Sequence, residues 1–287
     1  MTLLFSHSGY SADPYDRETA IIGIMSRLMF STNRIDTRIA TEMIFNNFMK
    51  NIGKKGVFIN TDSPQDAVQN MQQHRLDAVI TNTLDYLEID HMISPLHRYS
   101  VVIGPSKLQN IILLTRRSDK IENLSQLHRK RLTHPAGFNL GQIFLDVALM
   151  KQGLPVAERF FSNSDEVSDL NTAIIDLFFN KTDAALVTDA SFGIASELNS
   201  QIHHQLEILI ISEPIVPLVI GVNKFVPPEF TNRIDKMMSQ LDQYPRTIHL
   251  LSLFKAKGIE RISDQDLLSA RMIKQEYNAL LSVANGE

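Results

Sequence analysis

Arg75-Leu76-Asp77-Ala78-Val79-Ile80-Thr81-Asn82-Thr83 and Thr182-Asp183-Ala184-Ala185-Leu186-Val187-Thr188-Asp189-Ala190 share one pattern. Each sets Asp-Ala before a short apolar run and closes it with small polar residues. That is how a strand buried on both faces reads, tipped with hydrogen-bonding groups. A helix leads into each copy. Ser63-Pro64 opens the first, with Ser63 as N-cap and Pro64 in the first turn, where a proline costs nothing. Ser164-Asp165 is expected to open the second, with Ser164 as its cap. Two such units predict two similar α/β lobes, with polar tips at the strand C-ends where open α/β sheets place their ligands.

Upstream of the first copy, Ala20-Ile21-Ile22-Gly23-Ile24-Met25 is a continuous apolar run suited to a buried strand. Ile35, Ile39, Ala40, Met43, Ile44, Asn47 and Phe48 fall on one helical stripe, which Gly53 closes. A strand at 56–60 and the helix at 63–73 complete a β-α-β-α-β order, which predicts a parallel sheet with right-handed crossovers. Strands follow at 99–103 and 110–115, split by Gly104-Pro105-Ser106. Arg131-Leu132-Thr133 starts another, a helix runs along Leu140, Ile143, Phe144, Val147 and Ala148, and Phe160-Phe161 begins a further strand. After a strand at 206–211, Glu213-Pro214-Ile215-Val216-Pro217 reads as a stiff connection, because proline cannot serve a central ladder position. A strand at 218–222 and helices near 229–241, 248–254 and 265–283 end the chain. The simplest topology is discontinuous: an N-terminal arm or signal remnant at 1–17, one lobe from 18–105 plus 215–287, and a second from 110–210. Two crossings, near 103–110 and 211–217, would form a hinge beside a cleft.

Composition narrows the function classes. The 287 residues are 44% hydrophobic and 21% charged, as in a globular protein. The net charge of −4, with signs mixed along the chain, argues against nucleic acid as the main partner. There is no cysteine, so disulfides and thiol chemistry are excluded. No apolar run reaches the roughly 18 residues that span a bilayer, so direct insertion is not expected. Leu3-Leu4-Phe5 with Ser8 to Ala12 reads either as the tail of a secretory signal or as a plain arm. Neither a dinucleotide fingerprint, a phosphate-binding Gly-Lys-Ser/Thr loop nor a nucleophile elbow occurs, and the nine histidines are scattered. No cofactor, metal or catalytic set is expected.

The ordered set Ile22-Gly23-Ile24, Ser63…Leu76-Asp77-Ala78-Val79, Ser164-Asp165…Asp183-Ala184-Ala185, Ile211-Ser212-Glu213-Pro214-Ile215…Pro217 and Leu250-Leu251…Phe254…Gly258-Ile259 resembles the phosphate/phosphite/phosphonate-binding proteins of ABC transporters. Those are type 2 periplasmic binding proteins, and the resemblance runs from about Ile21 to about Asp266. It implies a two-lobed α/β fold, each lobe a mostly parallel sheet flanked by helices, joined by a two-strand hinge. It also implies a monomeric, extracytoplasmic receptor that closes on a small polar or anionic molecule and hands it to a membrane permease. Two other readings use the same scaffold: a sensor domain upstream of a signalling partner, or an enzyme, for which Asp189, Asp165 or His134 would be the acid–base candidates.

The candidate ligand contacts are Ser26, Arg27, Asn82, Thr83, Tyr86, Phe138, Asn139, Ser164, Asp165, Thr188 and Asp189. Ser26 and Arg27 follow the first strand, where an Arg can pair with an anion bidentately or simply be solvated. Asn82, Thr83 and Thr188 line the cleft or cap helices, and Tyr86 follows one turn on. Phe138 is a cleft wall or core. Ser164, Asp165 and Asp189 contact ligand or cap. The family's Ser-Thr-Ser-Gly run is replaced here by Ala136-Gly137-Phe138-Asn139-Leu140-Gly141. Helix amides and Asn139 remain as donors, but the hydroxyl pair is gone. Asp165 and Asp189 add negative charge. The expected ligand is therefore a zwitterion, a monocarboxylate or a neutral polar molecule rather than phosphate or a simple alkylphosphonate.

Overall fold

The computed structural model describes residues 15, 17–25, 34–252 and 255–284. Strand β1 (Thr19–Met25), helix α1 (Arg34–Asn51), β2 (Lys55–Thr61), α2 (Pro64–Gln72), β3 (Ala78–Asn82), α3 (Thr83–Ile89) and β4 (Ile93–Ile103) come first. Then follow β5 (Ile111–Arg116), β6 (Arg131–Pro135), α4 (Asn139–Met150), α5 (Ala157–Phe160), β7 (Asn163–Val167), α6 (Leu170–Phe178), β8 (Ala184–Thr188), α7 (Asp189–Leu198), α8 (Ser200–Gln205) and β9 (Leu206–Ile211). The chain ends with β10 (Leu218–Asn223), α9 (Pro228–Ser239), α10 (Pro245–Ser252), β11 (Ala256–Arg261) and α11 (Leu268–Ala284).

These strands make two sheets, in the orders β11-β4-β10-β3-β1-β2 and β7-β6-β8-β5-β9. β1 pairs in parallel with β2 and β3, and β6 in parallel with β7 and β8. β10 and β11 run antiparallel to their neighbours in the first sheet, as β5 does in the second. The second sheet thus consists of the middle of the chain, while β10 returns to a central place in the first. Its insertion beside β3 follows from its apolar sequence, Leu-Val-Ile-Gly-Val, which is buried almost throughout. Between the sheets the two crossing segments pair with each other. The Gln109 and Ile215 amides each donate to the other's carbonyl, at 2.9 and 2.8 Å.

The repeated unit is faithful in detail. Asp77 and Asp183 are 106 residues apart, and the same offset carries Ser63, the cap of α2, to Asp169, the cap of α6. It also carries His74, with φ 55°, to Asn180, with φ 61°, each in the turn after its helix. Both aspartates do one job. The Asp77 amide donates to Ile21 O and its Oδ2 accepts from Ile21 N at 2.7 Å; Asp183 makes the same exchange with Arg131, at 3.1 and 2.9 Å. Each carboxylate is also paired with an arginine, Arg17 at 2.6 Å and Arg131 at 3.0 Å. The aspartates therefore staple the third strand of each unit to the start of the central one, at the opposite end from the polar tips.

Several expectations are corrected. Ser164 does not cap a helix: it lies with Asp165 on the exposed edge strand β7, and α6 begins five residues later on Asp169, whose Oδ1 accepts from Thr172 N at 2.9 Å. Phe160 and Phe161 end α5 in the second core rather than opening a strand. On α1 the stripe is turned, because Ile39 and Met43 are 52% and 50% exposed. The buried face is Ile44, Phe45, Phe48, Met49 and Ile52. It is covered by β2 and by α10, where Asn47 donates to the Thr247 hydroxyl. Gly258 and Ile259, which the sequence places between two helices, belong to β11, whose backbone groups are satisfied by pairing with β4.

Helix α11 leaves the first sheet. Leu267, just before it, is buried in a first-sheet cluster, whereas Ala270 and Ile273 join the second-sheet core and the helix lies along α4. Arg271–Asp90 (2.8 Å) and Lys274–Glu88 tie it to the first lobe, and Lys151–Glu276 (2.6 Å) to the second.

Candidate functional site

Five helices whose caps are described start at the C-ends of parallel strands, and four of them are closed by their own side chains. Ser63 Oγ accepts from Asp66 N at 3.1 Å at the start of α2. At α3, Asn82 Oδ1 accepts from Asp85 N at 2.9 Å, and its Nδ2 donates to Asp85 Oδ2 at 2.8 Å. Asp169 closes α6, and Thr188 closes α7 through a reciprocal bond with Ser191. Helix α4 differs. Its N-cap is Phe138, which supplies no side-chain hydrogen bond, so the amides of residues 139–141 have no intrahelical partner. The Phe138 ring is 3% exposed and lies over Gly141, where an added Cβ would sit 2.6 Å from ring carbons. Asn139 is half-buried at the first helical position. Below it the buried His134 ring receives a hydrogen bond from Gln142 Nε2, at 3.0 Å from its Nε2.

The two sets of helix starts adjoin. Leu84 and Leu87 of α3 pack against the second-sheet core, and α3 touches α4. A groove of about 330 Å³ opens between the start of α2, α3, Ile143 of α4 and the middle of α11.

The structure separates the candidate residues by role. Ser26 and Arg27 lie outside the described residues. Thr83 is buried, and its hydroxyl donates to Val216 O in the second crossing segment. Asp189 holds the first crossing: its Oδ1 accepts from Asn110 N at 2.9 Å, and its own amide donates to Asn110 O at 2.9 Å. Thr83 and Asp189 therefore anchor the hinge, and Asn82 and Thr188 cap helices beside it. Tyr86 is core, its hydroxyl accepting from Arg98 Nη1 at 3.2 Å, and burial, partly offset by Arg98, pushes its phenol up. Phe138 is core as well. Ser164 and Asp165 are exposed on the edge strand, with Asn163 Nδ2 donating to Asp165 at 2.8 Å. The acid–base candidates do not converge: His134 is buried, Asp165 lies on an edge and Asp189 is bound to the hinge. Missed in the sequence were Ile143, Lys274, Tyr277 and Asn278, which line the groove. Nothing local in α11 marks it, since its place depends on contacts with an element more than a hundred residues earlier.

Two mixed α/β sheets joined by two paired crossings, with helix starts from both meeting at a cleft, define a type 2 periplasmic binding protein. The chain belongs to the family described as the phosphonate periplasmic substrate-binding proteins of ABC transporters, which matches residues 31–267. No curated protein sequence matches it. Among solved structures it is similar to PA3383, a binding protein component of an ABC phosphonate transporter from Pseudomonas aeruginosa (TM-score 0.68, 11% identity, 94% of this chain and 89% of that one). It is also similar to PhnD1 of Prochlorococcus marinus, solved with methylphosphonate (TM-score 0.66, 14% identity, 93% and 99%). A third likeness is to XAC2383 of Xanthomonas citri, solved with ATP (TM-score 0.64, 14% identity, 93% and 99%). At these identities the likeness is one of fold.

Proposed function

We propose that the protein captures a small organic monoanion or zwitterion in the cleft between two lobes, without chemistry, and delivers it to a membrane permease. The lobes are residues 18–105 with 215–287, and 110–210, with α11 reaching from the first across to the second. The observation that carries the site is the start of α4. Among the helices with described caps at the strand C-ends it is the one without a side-chain cap, and a helix N-terminus favours an anion by its dipole and its N–H groups. Asn139 adds a side-chain donor.

The charge argument rests on donors. Asp165 stands on an exposed edge strand and the Asp189 carboxylate is engaged by backbone amides. A phosphonate dianion has three oxygens to satisfy, and Phe138 occupies the place of a hydroxyl donor. A carboxylate needs fewer. Titration calorimetry of ligand-stripped protein against amino acids, organic acids, phosphate and methylphosphonate is the test. Micromolar binding is expected for a carboxylate-bearing member, weakened in Asn139→Ala. Tighter binding of phosphate or methylphosphonate would show that other donors complete the site.

A further inference from the structure

The groove between α3, α4 and α11 is one helical turn away from the helix starts. Asp85, in its wall, hydrogen-bonds Asn82 at the start of α3, and Ile143 lies one turn beyond Asn139 on α4. At Ile143 it thus comes within one turn of the α4 amides where an anion would rest. Its walls are mixed: Leu84, Ile143 and Tyr277 supply half-buried apolar surface, and Ser63, Gln65 and Asp85 supply polar groups. The exposed Asn278 and the Lys274–Glu88 pair form the outer edge. Tyr277 is partly desolvated there, and its burial, with Asp146 adding to it, raises its phenol. A volume of about 330 Å³ is at the lower end of small-molecule sites and exceeds what a single oxyanion fills.

We propose that this groove is a substituent subsite: it takes the carbon chain of an organic oxyanion whose charged head rests on α4, and the C-terminal helix forms its outer wall. The inference rests on the function proposed above, and it narrows the ligand class to oxyanions with an extended, largely apolar stem. Tyr277 and Asn278 would then set how long a chain fits. The Lys274–Glu88 pair spans α11 and α3 at the groove's outer edge.

The test compares affinities within two homologous series, methyl- to pentylphosphonate and acetate to hexanoate, by titration calorimetry. Each methylene entering the groove should tighten binding roughly fourfold, so the longer members should gain at least about tenfold in the unmodified protein. Asn278→Trp fills the groove from an exposed position, and Ile143→Trp fills it from α4. In each, the gain with chain length should collapse, with thermal unfolding confirming that the variant is folded. Affinity independent of chain length in the unmodified protein, or a gain untouched in both variants, overturns the subsite while leaving the head-group site standing. Binding of neither series overturns both.

Discussion

Asp183 shows how one carboxylate can hold a lobe together. It accepts from the Arg131 amide and guanidinium and lies 3.3 Å from Arg116, and these partners, Arg131 first, hold its pKa down at about 2 against an ordinary 3.8. A pKa lower in the folded than in the unfolded chain means that the unfolded state binds the proton more tightly in this range. Its contribution is therefore fully present above about pH 4 and is lost as the pH falls towards 2. The shift corresponds to about 2 kcal/mol. Asp183→Asn should lower stability by about that amount at pH 7 and flatten the dependence of the urea midpoint between pH 5 and 3. An unchanged slope would mean that another carboxylate carries the acid sensitivity. Asp77, in the same position of the first lobe, serves the same geometry with Arg17 and the Ile21 amide. Neither aspartate lies at the strand C-ends, so Asp183→Asn should leave the affinities for the ligand series unaltered. At the strands' other end, removing the Asn82 side chain costs a cap. Asn82→Ala should destabilise the protein by about 1 kcal/mol, read as a shift in urea midpoint.

Among the helices with described caps at the C-ends of the parallel strands, α4 is the one whose start is built by packing instead of capping. Phe138 fills the cap position with a ring, and that ring needs the space over Gly141. The pair exchanges a side-chain cap for a buried aromatic and leaves three amides for something else. Gly141→Ala would place a methyl group 2.6 Å from the ring and force ring or helix to move. Overpacking of this kind typically costs about 1–3 kcal/mol. The expected result is a lower urea midpoint together with weaker binding of every member of the ligand series, because the amides move with the first turn. A fall in stability with unchanged affinity would separate the ring's packing from the site. In β1, Gly23 meets a similar limit, as a Cβ there would lie 2.6 Å from Thr61 Oγ1 and 3.0 Å from Leu76.

At the scale of the whole molecule, two paired crossings and one helix connect the lobes. The Gln109–Ile215 pair joins the two crossings to each other, and Thr83 and Asp189 fasten each crossing to the helix starts beside it. Helix α11 adds a third connection. Its ion pairs are partly exposed and contribute little individually, so its hold on the second lobe comes mainly from Ala270 and Ile273. A chain ending at Leu267 should lose that burial, on the order of 2–4 kcal/mol at the usual area coefficient. Its melting temperature should fall by roughly 2–4 °C for each kcal/mol lost. The groove would lose its wall, so the chain-length gain should vanish as well. An unchanged melting temperature would show that α11 merely rests on α4.

What the sequence by itself determined is the repeated unit and its consequences. Asp-Ala before an apolar run, twice, implies two α/β lobes, because a strand buried on both faces needs helices on both sides and a polar residue to close each end. The cap of α2 was legible for the same local reason, and the resemblance to phosphonate-binding proteins followed from the order of such pieces. The cap of α6 was legible only through the 106-residue offset, which points to Asp169 where the serine pattern pointed to Ser164. Tertiary structure alone decided the rest. It turned the α1 stripe by covering one face with α10, made β11 a strand by offering it the edge of β4, and took Thr83 and Asp189 for the hinge. It also carried α11 across to α4. Such outcomes depend on which surfaces come to lie side by side, and a run of residues carries its own periodicity and caps but not the partner that will bury it.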